Sequence, residues 1–168
     1  MKKTLPTIFL TIIIILTVLN ITFLVELYKN EDLKNFYYNN DQLPNNYTDR
    51  EKQHMQEVKD LINFFILIDI LLIITLTTLK QKINYKKTGI YLISFSILLF
   101  IASLFYQQFH HYIHLLLFRS DTWLLPYDSI LIQNYPLDYF RTKFIIINII
   151  YLIIGIIISF LNKLRLSN

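Results

Sequence analysis

A chain of 168 residues that is 54% hydrophobic and 15% aromatic carries more apolar side chain than a soluble domain of its length can bury, whereas a bilayer solvates it directly. The absence of cysteine excludes disulfides, thiolate catalysis, haem thiolate and Fe–S chemistry together. The formal charge of +4 is small, so its meaning lies in where the charges stand. The expected fold class is an all-α membrane protein, a single integral membrane domain over residues 1–168 with four transmembrane helices.

In chain order, the apolar stretches long enough for a hydrocarbon core, which takes about 20 helical residues, run roughly over 5–25, 61–79, 89–109 and 144–161. The first follows Lys2 and Lys3, as a signal peptide would. Its apolar core is too long for one and no small-x-small cleavage site follows, so it reads as a retained anchor. Lys80, Lys82, Lys86 and Lys87 crowd one short loop, and Lys2, Lys3, Lys163 and Arg165 flank the ends. Lysine and arginine mark cytoplasmic loops, which puts both termini in the cytoplasm and the two longer connections, about 26–60 and 110–143, outside. All four histidines, His54, His110, His111 and His114, then lie on the extracytoplasmic side.

The first outer segment ends in TDREKQHMQEVKDL, residues 48–61. Thr48 and Glu51 form a capping box, Asp49 complements the helix dipole, and the Asn and Pro residues just upstream are breakers. One continuous helix is therefore expected from about Asp49 through the second span. On it Arg50, His54, Glu57 or Val58, and Leu61 recur at spacings of three or four and share a face, while Lys52 and Lys59 point elsewhere.

Asp69 lies within the second span, where an acid is costly and is either functional or paired. It stands roughly 22 Å below His54 at a rise of 1.5 Å per residue, too far to touch it. An interhelical polar network of Asn20, Asp69 and Asn148 beneath the site is the expected role.

The second outer segment is too apolar for a solvated loop, yet Pro126, Pro136, Arg119, Asp121, Asp128 and Asp138 forbid a span. Trp123, Tyr127, Tyr135, Tyr139 and Phe140 suit a headgroup boundary, so this segment is expected to lie along the outer interface and roof the bundle. His110 and His114, four apart at the end of the third span, share a face, and His111 points a quarter turn away.

This chemistry leaves several readings open. His54 is either an interfacial histidine or a general base, and Arg50 one turn earlier would hold an anionic or carbonyl oxygen beside it. His54, His110 and His114 have the spacing of zinc ligands, but no H-E-x-x-H pattern occurs, and no G-x-S-x-G marks a serine hydrolase. A zinc-dependent membrane hydrolase and a non-enzymatic adaptor binding a partner through its outer segments are the alternatives. No nucleic-acid partner and no metal is expected.

Two motifs carry a family resemblance. The first is R-x-x-x-H-M-x-x-V-K, formed by Arg50, His54, Met55, Val58 and Lys59 ahead of a span. The second is a histidine, an apolar run and Asp-x-Trp, formed by His114, Leu115 to Phe118, Asp121 and Trp123. With Leu131, Ile132, Pro136, Tyr139 and Phe140 downstream, the chain resembles the lipoprotein intramolecular transacylases of Gram-positive bacteria, small four-span membrane proteins of the cell envelope. The family more often has a second aromatic where Leu117 stands. The resemblance implies a cofactor-free acyltransferase. Its substrates are lipoproteins whose N-terminal cysteine bears a diacylglyceryl thioether in the membrane lipid. An acyl chain moves from the glycerol to that cysteine's own amine, giving lyso-form lipoprotein. His54 and His114 are then expected to transfer protons, by direct transfer or through an acyl-histidine. Arg50, Trp123 and Asp121 are the candidates for binding substrate or stabilising the oxyanion.

Overall fold

The computed structural model describes residues 4–79 and 82–164, and everything regular within them is helical. In chain order the elements are α1 (Leu5–Lys29), α2 (Glu31–Lys34), a π-helical turn (Asn35–Asn39), α3 (Asp49–Thr78), α4 (Tyr85–Leu104), α5 (Tyr106–Leu117), α6 (Ile130–Asn134) and α7 (Leu137–Leu164). Of these, α1, α3, α4 and α7 are long and apolar enough to cross a membrane. Lys2, Lys3, Lys80 and Arg165, and the side chain of Lys163, on which the expected orientation partly rests, lie outside the described residues.

The helix expected from Asp49 through the second span is a single element. The Thr48 hydroxyl accepts from the Glu51 N–H, and the Glu51 carboxylate accepts from the Thr48 N–H at 2.8 Å, so both halves of the capping box are made. The helix that carries the third apolar stretch, α4, ends inside that stretch. It starts at Tyr85, ends at Leu104, and turns at Phe105 (φ −119°, ψ 42°) into the separate helix α5. The cause is local. The Ser103 hydroxyl bonds back to the Phe100 carbonyl at 2.6 Å, and the Phe105 N–H bonds the Ala102 carbonyl in place of the next helical partner. The helix α7 begins two turns before the fourth apolar stretch, because the Pro136 carbonyl accepts the first helical N–H bonds from Tyr139 and Phe140.

The spanning helices pack as two pairs, α1 with α3 and α4 with α7, and α1 also packs on α4. The protein's two glycines, Gly89 and Gly155, meet where α4 crosses α7. A Cβ on Gly89 would lie 2.5 Å from the Gly155 carbonyl oxygen and 2.7 Å from the Ser159 backbone nitrogen, so only glycine admits this approach of backbone to backbone. Gly89→Ala is accordingly expected to destabilise the fold by about 1–3 kcal/mol as an overpacking change. Thermal unfolding of the purified variant in detergent checks this.

The pairing also divides the polar network expected beneath the site. Thr17 donates to Asp69 at 2.8 Å between α1 and α3, while Ser96 donates to Asn148 Oδ1 at 2.6 Å between α4 and α7. The two helix pairs are joined elsewhere, by Tyr151 of α7, whose hydroxyl donates to the Ile15 carbonyl of α1 at 2.8 Å, and by the Lys143–Glu26 ion pair at 2.7 Å.

The first connection is packed against the bundle. Leu27, Leu33, Phe36, Leu43 and Tyr47 form one buried cluster with Met55 and Ile62 of α3 and Leu131 of α6. Lys59 fastens it, donating to the Phe36 carbonyl at 2.8 Å and to Asn40 Oδ1 at 2.6 Å. This cluster fixes the height of α6 beside the first turns of α3, and the histidines gather at that end.

Candidate active site

The first turns of α3 carry His54 two helical turns above Leu61, where the apolar part of the helix begins. α5 carries His110 and His114, and the chain between α5 and α6 brings Phe118 and Trp123 to meet them. The His54 and His114 rings are 6.3 Å apart between centroids, and no hydrogen bond joins them. Phe118 packs against both, 5.0 Å from His54 and 5.4 Å from His114, and Trp123 lies 5.1 Å from His114 on another side. Two histidine motifs sixty residues apart in the chain thus converge on one place.

His110 and His114 share a face, as the spacing predicts, with rings 4.1 Å apart. The more informative contact is between His114 Nδ1 and the His110 backbone carbonyl, at 2.9 Å. A carbonyl only accepts, so Nδ1 carries the proton and the neutral ring keeps its free lone pair on Nε2. His111 is exposed, its ring 5.3 Å from Trp123. Among the described residues no group of three His, Cys, Asp or Glu side chains is placed to hold a metal ion.

Burial decides the charge state of the three inner histidines. It pushes His54 down to about 4, and the neighbouring His114 acts in the same direction against an opposing pull from Glu57. His110 is likewise held at about 4 by burial, then by His114 and His111. Burial also lowers His114, only partly offset by its bond to the His110 carbonyl. All three imidazoles are neutral near pH 7 and able to accept a proton.

Arg50 shares the face of His54, and its guanidinium donates to the backbone carbonyl of Asp121. Asp121 therefore enters this contact through its main chain, and its side chain is exposed. Two polar atoms here are buried without a partner, His54 Nδ1 and Trp123 Nε1. Among the four such atoms in the described residues, the indole N–H alone is restricted to donating, the others being Asn20 Oδ1 and Asp69 Oδ1 in the spans.

Four residues act here that the sequence pattern does not assign to the site, Glu51, Glu57, Ser120 and Thr122. Glu51, 1% exposed, does more than cap α3: its Oε1 accepts the Leu131 N–H at 2.9 Å and so holds the start of α6. Glu57 accepts from the Ser120 and Thr122 hydroxyls, each at 2.6 Å. The helical spacing puts Glu57 or Val58 on the face of Arg50 and His54, but nothing local to α3 announces the partners of Glu57.

Residues 27–140 match a family model described as Lipoprotein intramolecular transacylase Lit, a stretch that runs from the end of α1 to the first turn of α7 and contains every residue named at this site. No curated protein and no solved structure matches the chain.

Proposed function

Because the chain belongs to the lipoprotein intramolecular transacylase family, we propose that it moves an acyl chain within one substrate molecule. The chain leaves the S-diacylglyceryl group of a lipoprotein's N-terminal cysteine for that cysteine's α-amine, giving an N-acylated, S-monoacylglyceryl product. The observation that carries this reading is the pairing of His54 with His114, the latter held by the His110 carbonyl with its Nε2 lone pair free.

Donor ester and acceptor amine belong to the same molecule, so the protein's task is to fold one onto the other and move protons. The amine nitrogen attacks the ester carbonyl carbon and gives up a proton, for which His114 Nε2 is the assigned base. The tetrahedral oxyanion then collapses, the bond to the glycerol oxygen breaks, and that oxygen takes up a proton. His54, facing the same space, completes this relay. The Trp123 N–H, a buried donor without a partner, is the group we assign to the oxyanion. Arg50, engaged on the Asp121 carbonyl, orients the segment that carries Trp123. The site faces outward, both termini are cytoplasmic, and the histidines stand level with the ester of an outer-leaflet lipid, in keeping with the lysines around the α3–α4 connection.

Mass spectrometry of lipoprotein N-termini from a host lacking other N-acylating enzymes tests the proposal. Expression of this protein should convert diacylglyceryl cysteines to the N-acyl, monoacylglyceryl form. Unchanged N-termini beside abundant folded protein would overturn it.

A pH dependence follows from the lowered histidines. A depressed pKa favours the neutral ring, so the base-competent form persists as pH falls below the ordinary histidine value of about 6.5. It is lost only as pH nears the folded value, about 4 for His54. With the substrate amine's own titration subtracted, the histidine-dependent acid limb of kcat is expected below pH 6.5, because burial lowers His114, the assigned base, as well as His54. A histidine limb at 6.5 or above, beyond the titration of the substrate amine at about 7.7–8.0, would mean the rings are not shielded.

A further inference from the structure

The turn Ser120 to Thr122 is fastened to α3 on either side of His54. One turn before His54, Arg50 donates to the Asp121 carbonyl. Nearly one turn after it, Glu57 Oε1 accepts from Ser120 and Oε2 from Thr122, each at 2.6 Å. Two hydroxyls on the two oxygens of one carboxylate, at this length, form a charge-assisted bidentate clasp. The spacing 50, 54, 57 puts both straps on the helix face that presents His54. The strapped turn leads directly into Trp123, whose indole lies 5.1 Å from His114. The proton transfers above make no use of Glu57, Ser120 or Thr122.

We propose that Glu57 is a positioning residue that holds the Trp123 indole beside His114, acting through the hydroxyls of Ser120 and Thr122. The segment joining α5 and α6 has no regular secondary structure to hold Trp123 in place, and residues 118–129 contain no helix. Its direction must therefore come from side-chain bonds to a rigid neighbour, and α3 is that neighbour. Without the clasp, the N–H donor wanders while both histidines stay on their helices. The catalytic part of this inference rests on the transacylase reading, and its structural part does not.

Trp123 is the only tryptophan in the chain, so its emission reports the clasp without reference to activity. In purified full-length protein, Glu57→Ala is expected to red-shift the emission and raise acrylamide quenching. It should lower kcat by about 10-fold to 100-fold, with KM little changed, because misplacing a reacting group by about 1 Å has effects of that order. Ser120→Ala combined with Thr122→Val, which removes the same bonds from the other side, should reproduce both effects. Glu57→Gln, which keeps an acceptor oxygen, should restore part of each. In a Trp123→Phe background, Glu57→Ala should add little further loss of kcat, since there is no indole left to aim. Unchanged emission and kcat in Glu57→Ala would overturn the proposal, as would a kcat loss of the same size with and without the indole. Should the parent protein transfer no acyl chain, the transacylase reading falls, and the emission of the variants still decides whether Glu57 holds Trp123.

Discussion

His114→Ala is expected to lower acyl transfer by about 10²-fold to 10⁴-fold, the range for loss of a positioned general base. The protein should stay folded, because the residue stands near the end of the short helix α5 and its side chain bonds only the His110 carbonyl of its own helix. Truncation removes the Nε2 lone pair together with the ring that Phe118 and Trp123 both pack against. His54→Ala should be similarly severe, since in the proposed relay each ring serves a different end. His110→Ala is the internal contrast. It retains the backbone carbonyl that fixes the His114 tautomer, so it should cost far less than either. Rates of N-acylation of a synthetic diacylglyceryl lipopeptide by the purified variants measure all three. An adaptor that used these histidines only as a binding surface would tolerate at least one of the two severe changes, and parity among the three variants would remove the base assignment to His114.

What the sequence makes legible is what periodicity and local capping encode. The Thr48–Glu51 box and the spacing of Arg50, His54 and Leu61 define α3 and the face it presents, and the structure has that helix as one element. The turn at Phe105 is not legible, because no glycine or proline marks it. It arises from a serine hydroxyl bonding its own helix and from Tyr106 packing against Phe144 of α7, a contact between distant parts of the chain. The early start of α7 is hidden for the opposite reason. Asp138, Arg141 and Lys143 read as loop composition, although a helix can run beyond the apolar layer once its first N–H groups have acceptors. Glu51 and Glu57 show the same limit at the site. Each sits on a predictable helix face, but their partners Leu131, Ser120 and Thr122 lie more than sixty residues along the chain, and no local pattern couples them.

Trp123→Phe separates the two candidates for oxyanion stabilisation. Phenylalanine keeps an aromatic ring beside His114 and removes only the N–H, so packing is largely retained while the donor is lost. Loss of one donor to a developing oxyanion lowers kcat by about 10²-fold to 10³-fold, and that is the expected loss here, with KM for the lipopeptide close to the parent value. Arg50 offers charge, yet its guanidinium already serves the Asp121 carbonyl from an exposed position, where water weakens any field it exerts. Arg50→Lys should therefore cost much less than Trp123→Phe, and its loss should appear with a shift in Trp123 emission, because it loosens the turn rather than removing the donor. The reverse order, a severe Arg50→Lys with unmoved emission and a mild Trp123→Phe, would transfer the oxyanion role to the arginine. The indole would then be left as a wall that holds His114 in place.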